Sequence, residues 1–287
     1  MAGSDPGEFS DHEHEMTGLI RSVADASGRH VPVNGTLNFR DVGGYPVDGG
    51  GVVAWRTLFR SDGLHHLDPA ARGLLGSLGL RTVVDLRTSM ETELAPSPLD
   101  DFGQRGTRAL HISLIGDDIN DVPADLGEIY AYIVDTRGAA IGAAIRSLAA
   151  PGALPGLVHC TAGKDRTGIV VALTLAAIGV PDRYVAADYA LSSLYLDPEH
   201  TPTIGRVRNG AGMGDRLTAA LLASPPELIQ RVLERARERG GSITGYLADH
   251  GVPGTDLDLL RAALVTTPNG EAGGTDEMGA ENGHVPR

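Results

Sequence analysis

One decapeptide combines a nucleophile with the makings of an anion cradle: His159-Cys160-Thr161-Ala162-Gly163-Lys164-Asp165-Arg166-Thr167-Gly168. Cys160 is the only cysteine in the 287-residue chain, so an intrachain disulfide is ruled out and a cysteine-built metal site is not expected. It follows the short apolar run Leu157-Val158 and precedes a long apolar stretch beginning at Ile169, a strand, loop, helix arrangement. In that arrangement the backbone N–H groups of Thr161, Ala162, Gly163, Lys164, Asp165 and Arg166 converge at a helix N-terminus, where unpaired donors and the helix dipole attract an anion. The same field favours thiolate over thiol and makes Cys160 a nucleophile.

Five residues separate Cys160 from Arg166, a spacing that lets the loop curl around a phosphate while the guanidinium grips two oxygens side by side. Gly163 permits close approach of the backbone, and the Thr167 hydroxyl is positioned to hydrogen-bond the sulfur and ease its departure from a phosphocysteine. Phosphate monoesters hydrolyse extremely slowly unaided, so a strong nucleophile and charge stabilisation are both required. The loop offers both, for a two-step displacement that needs no metal or other cofactor.

Competing readings explain less. A nucleotide-binding Walker loop requires Ser or Thr after Gly163-Lys164, where Asp165 stands, and Gly where Val158 stands. An inert buried cysteine would not call for Gly, Lys, Arg and Thr at these positions. A sulfurtransferase of rhodanese type also uses a loop cysteine, but without this arginine and threonine. A phosphate-binding module without turnover would not need Cys160, Arg166 and Thr167 all intact.

The loop resembles that of the Cys-X5-Arg-[Ser/Thr] protein tyrosine phosphatase superfamily, and is similar above all to bacterial tyrosine and lipid phosphatases of the mycobacterial secreted B type. The likeness extends upstream to Asn38-Phe39-Arg40-Asp41, Leu58-Phe59-Arg60-Ser61 and Asp85-Leu86-Arg87. It implies Cys160 as nucleophile, Arg166 as phosphate-binding arginine, Asp165 as a candidate general acid, and Lys164 as counterpart of a loop lysine associated with phosphoinositide hydrolysis. Trp55 is the only tryptophan, so the Trp-Pro-Asp segment that often supplies the acid is missing; Asp117 or Asp118 is the second choice. His159, Asp85, Arg87, Arg40 and Asp41 are expected to support the loop, with Asn38 beside them.

The elements needed to position these residues are legible in outline. Residues 52–60 read as an early strand or hairpin after the turn Asp48-Gly49-Gly50-Gly51. Asp68 as N-cap, Pro69 at the first helical position and Gly79 after the end mark a helix, followed by a core strand over 81–86. A further strand is expected over 108–114, helices over 126–136 and 139–149, and a short buried strand over 157–159. Beyond the helix over 169–178 the pattern is helical at 182–192, 226–239, 243–250 and 256–265, with 196–214 a loop that could act as a lid. The expected fold is α/β: a central, mostly parallel sheet flanked by helices, tyrosine-phosphatase-like, with a helical C-terminal part. A phosphatase domain over 30–266 is expected between disordered tails at 1–28 and 268–287.

Charge limits the partners. A net charge of −13 argues against nucleic-acid binding and against stable membrane anchoring by anionic lipids. No secretory signal or membrane-spanning run is evident, making a cytoplasmic location the default expectation. His12, Glu13, His14 and Glu15 lie in the acidic tail and are not expected to form a metal site; Asp121 belongs to a solvated acidic loop and His65-His66 to the surface. The implied partner is a phosphorylated substrate: a phosphotyrosine-type protein, a phosphoinositide or, alternatively, a small metabolite such as a sugar or nucleotide phosphate.

Overall fold

The computed structural model describes residues 11–98, 106–116, 125–196 and 222–267. Its centre is a five-stranded sheet in the order β1 (Arg40–Asp41), β3 (Leu58–Ser61), β6 (Gly156–His159), β4 (Thr82–Asp85), β5 (Arg108–His111). The last four are mutually parallel and β1 runs antiparallel on the edge. Register brings Ser61, His159 and Asp85 level with one another, so three carboxyl ends meet on one edge of the sheet. Ligands of open parallel sheets bind outside such ends.

The three central strands β3, β6 and β4 are buried throughout, with both faces covered. Phe59, Val83 and Leu157 point to one side, where they meet Ala71, Leu75 and Leu78 around α2 (Pro69–Ser77). Leu58, Val84 and Val158 point to the other, onto α5 (Gly138–Ala149) and α6 (Asp165–Ala177). Helix α6 is buried along most of its length, which explains an apolar sequence without a polar face. Around it pack α7 (Asp182–Tyr195), α8 (Pro226–Gly240) and α9 (Ile243–Asp249), with α4 (Leu126–Thr136) against α8 and α10 (Gly254–Leu264) against α5. The mixed, mostly parallel sheet and helical C-terminal part match the expected class.

Three local expectations need correction. The N-terminal tail was expected to be disordered through residue 28, yet α1 (Asp11–Ala24) is helical and packs on α7. Its apolar positions Met16, Leu19, Ile20 and Val23 recur at helical spacing and join the core, a pattern diluted by the charged residues around it. The run over 52–60 is not one strand or hairpin: β2 (Val52–Val53) pairs with β7 (Val265–Thr266) in a separate ribbon, while β3 enters the main sheet. Between them Arg56 takes a positive φ of 62° and donates its N–H to Asp41 Oδ2 at 2.7 Å, which breaks the extended run. Finally, α3 (Ser89–Leu94) follows β4 where no helix was expected. The possible lid over 196–214, apart from Leu196, and the tail 268–287 lie outside the described residues.

Candidate active site

The loop from Cys160 to Lys164 joins β6 to α6. Its shape is imposed from behind: Asn38 Nδ2 donates to the Ala162 carbonyl at 2.9 Å, Arg60 Nη2 to the Gly163 carbonyl at 2.7 Å, and Gly63 N–H to the Thr161 carbonyl at 3.0 Å. A planar trans peptide points its N–H opposite its C=O, so drawing carbonyls outward turns the following N–H groups inward. Gly163 sits at φ +66°, and a Cβ there would lie 2.5 Å from Asp62 N and the Ser61 carbonyl. Only glycine fits this crossing of the β3 end.

Behind the loop lies a buried ionic cluster. Asp188 on α7 accepts from Arg60 Nη1 at 2.6 Å, Arg40 Nε at 3.2 Å and the Tyr45 hydroxyl at 3.0 Å. Burial alone would raise the Asp188 pKa, but Arg40 and Arg60 bring it down to about 2. Burial, with Arg60 nearby, lowers Arg40 to about 10, leaving it cationic. Arg40 also donates to Ser192 Oγ at 3.1 Å and to Asn38 Oδ1, tying the carbonyl-holding Asn38 to the same cluster. Asp41 instead accepts the N–H groups of Gly43 and Arg56 and braces the chain beneath β3.

Cys160 is 2% exposed at the floor of the loop. His159 before it is fully buried, and desolvation pushes its pKa down to about 4 despite Asp85 Oδ2 at 3.7 Å, so the imidazole is neutral at neutral pH. Asp85 is bound by Arg87 through Nε at 3.0 Å and Nη2 at 2.7 Å, while Arg87 Nη1 reaches the Ala95 carbonyl at 2.7 Å. Thus Arg87 fastens the end of α3 to the end of β4.

That fastening matters because α3 carries Glu91. Thr88 and Glu91 form a reciprocal capping box at its N-terminus. The Glu91 carboxylate also takes Arg166 Nη1 at 2.6 Å, Arg166 Nη2 at 2.9 Å and the Thr161 hydroxyl. Asp165 Oδ1 accepts from the Tyr130 hydroxyl at 2.5 Å. Lys164 is buried, with its ammonium on the Ala223 carbonyl at 3.0 Å and 3.4 Å from Asp165 Oδ1. Thr167 is equally buried, but its hydroxyl has no hydrogen-bond partner among the described residues, so the expected bond to the sulfur is not formed. Asp117, Asp118 and Asp121 lie outside the described residues.

A family model described as the tyrosine phosphatase family matches residues 31–266. The chain belongs to that family. Among curated relatives, it is 31% identical over 228 residues to a tyrosine-protein phosphatase of Nostoc commune, covering 71% of this chain and 73% of the relative. It is 30% identical over 285 residues to the triple specificity protein phosphatase PtpB of Mycobacterium tuberculosis, covering 83% of this chain and 99% of the relative. The crystal structure of P. aeruginosa TpbA is a distant neighbour, with a TM-score of 0.33 and 19% identity over 58% of this chain and 86% of that one.

As a tyrosine phosphatase family member the chain is a phosphoric monoester hydrolase acting on a phosphorylated substrate. The structure places Cys160, Thr161, Ala162, Gly163 and Lys164 in the loop and Asp165, Arg166 and Thr167 in the first turn of α6, with Asn38 and Arg60 directly on the loop carbonyls. Arg40 acts one contact further back, through Asn38, and Asp85 with Arg87 meets the site only at its edge. Sequence reasoning missed Glu91, Tyr130 and Asp188. Glu91 had a local signal in the capping-box spacing Thr88-x-x-Glu91; Asp188 stood out only as a carboxylate inside the otherwise apolar middle of α7; Tyr130 had none.

Among the described residues no helix is long and apolar enough to cross a membrane, and no group of three or more His, Cys, Asp and Glu side chains could hold a metal ion.

Proposed function

We propose that this phosphatase hydrolyses phosphotyrosine-type esters on proteins through a cysteinyl-phosphate intermediate, without a metal. The carrying observation is the loop itself: Cys160 at the end of β6, Arg166 in the first turn of α6, and the carbonyls between them pulled outward by Asn38, Arg60 and Gly63 N–H. Cys160 Sγ attacks phosphorus, forming an S–P bond as the ester P–O bond breaks, while Arg166 and the inward N–H groups hold the phosphoryl oxygens. Asp165 gives its proton to the leaving oxygen. A water then attacks the phosphocysteine, Asp165 takes a proton from it, and thiolate and inorganic phosphate are released.

For substrate class, the names of the relatives support a protein phosphatase, one of them with broader specificity. Direct contact of Lys164 with an inositol headgroup has less support, because its ammonium is engaged with the Ala223 carbonyl. The test combines Cys160→Ser with a substrate panel. Wild type should release phosphate from phosphotyrosyl peptides in the presence of chelator, and Cys160→Ser should release none. Equal rates for the two proteins would defeat the mechanism; turnover confined to sugar or nucleotide phosphates would defeat the substrate assignment.

A further inference from the structure

Tyr130 on α4 is 2% exposed, and its oxygen lies 2.5 Å from Asp165 Oδ1 and 2.7 Å from the Tyr189 oxygen. A phenol has one hydrogen to donate, and a carboxyl oxygen that bears no proton can only accept, whether or not the other oxygen is protonated. The Tyr130 hydrogen is therefore committed to Asp165, and Tyr189 must donate to Tyr130. Burial, with the negative Asp165 next, raises the Tyr130 pKa well above its ordinary value, and Tyr189 is raised for the same reasons, so both phenols keep their protons. The two rings meet edge to face with centroids 6.2 Å apart, and Tyr189 is seated against Gly168, where a Cβ would come within 2.9 Å of its ring. The chain of hydroxyls is thus anchored on α4, α7 and the start of α6.

We propose that Tyr130 is a positioning residue for acid catalysis: it occupies Asp165 Oδ1, leaves Oδ2 to carry the transferable proton, and stabilises the carboxylate that remains after transfer. This deepens the reading of Asp165 as general acid and rests on it. The Lys164 ammonium, 3.4 Å away, faces the same oxygen, Oδ1. When Oδ2 gives its proton to the leaving oxygen, negative charge develops on the carboxyl and the phenol bond to Oδ1 becomes charge-assisted. Such bonds are roughly twice as strong as neutral ones, so the contact is worth more in the transition state than before it.

The test compares two aryl phosphates. The 2,4-dinitrophenolate group leaves without a proton, whereas phenol needs one. Tyr130→Phe, which keeps the buried ring, should lower kcat/KM for phenyl phosphate on the order of tenfold and leave 2,4-dinitrophenyl phosphate essentially unchanged. Asp165→Asn should show the same selectivity at about 100-fold, and adding Tyr130→Phe to it should cost nothing more. Equal losses on both esters, or a further loss in the Asp165→Asn background, would show that Tyr130 does not act through the acid. Wild-type rates for Asp165→Asn on phenyl phosphate would remove the acid assignment itself, and the proposal with it, an outcome read from that single variant alone.

Discussion

Glu91 and Arg166 form a two-pronged pair, Oε2 accepting from Nη1 at 2.6 Å and Oε1 from Nη2 at 2.9 Å, although 75 residues separate them in the chain. Burial by itself would raise the Glu91 pKa, but the bonds from Arg166, Thr161 and the Thr88 N–H hold it well below the carboxylate range. Burial would likewise lower Arg166, and Glu91 together with Cys160 keeps it above its usual value. Both partners stay ionised. A guanidinium has five N–H donors, and those not engaged by Glu91 and Thr161 are available, in a fixed orientation, to a phosphoryl group.

Replacing Glu91 separates orientation from capping. Glu91→Ala should lower kcat/KM by about tenfold or more, since Arg166 loses its fixed partner, and should cost about 1 kcal/mol of stability through the lost capping box. Glu91→Gln keeps an oxygen for the Thr88 N–H and should recover most of the stability but little of the activity. Steady-state kinetics and thermal melting of both variants check this; wild-type kcat/KM in Glu91→Gln would mean that the charge pairing is dispensable.

Asp188 balances two buried arginines, and Asp188→Asn should therefore be severe. Removing one partner of a buried ion pair typically costs about 3–5 kcal/mol, and here Arg40 and Arg60 would face each other without a counter-charge. Urea denaturation gives the loss directly. Because Arg60 also holds the Gly163 carbonyl, activity at temperatures where the variant is still folded should fall as well. A stable, fully active Asp188→Asn would show that the loop keeps its shape without this cluster.

Stability against pH contains two opposing contributions. His159 has its pKa lowered by burial from 6.5 to about 4, so between these values the unfolded chain takes up a proton that the folded chain refuses, and stability falls as pH drops. Asp62, raised by burial from 3.8 to about 6, does the reverse: the folded chain holds a proton that the unfolded one has released, so its contribution grows as pH drops through 6 and is lost above it. In wild type the two largely offset each other. Asp62→Asn, which keeps an acceptor for the Leu37 and Asn38 N–H groups, should expose the histidine contribution as a loss of about 2 kcal/mol between about pH 7 and about pH 5. Urea unfolding at both pH values measures it, and an unchanged pH dependence in the variant would contradict the opposition.

The loop chemistry was readable in sequence because it is local: Cys160, Gly163, Arg166 and Thr167 lie within eight consecutive positions, and the strand before and helix after them have unmistakable apolar patterns. The α/β class followed from the same alternation, as did α2, with Asp68 capping Ala71 N–H at 2.7 Å and Pro69 at its start. What tertiary structure decided is which distant side chains reach the loop and by which contacts. Propensity could not tell that Val52 would pair with Thr266 and not with β3, because either pairing satisfies an extended valine. Nor could spacing reveal that Glu91, Tyr130 and Asp188, from three different helices, converge on Arg166, Asp165 and Arg60. A carboxylate or phenol reads the same in sequence whether it faces water or a buried guanidinium; only packing, which removes the water and fixes the partner, turns it into part of a site.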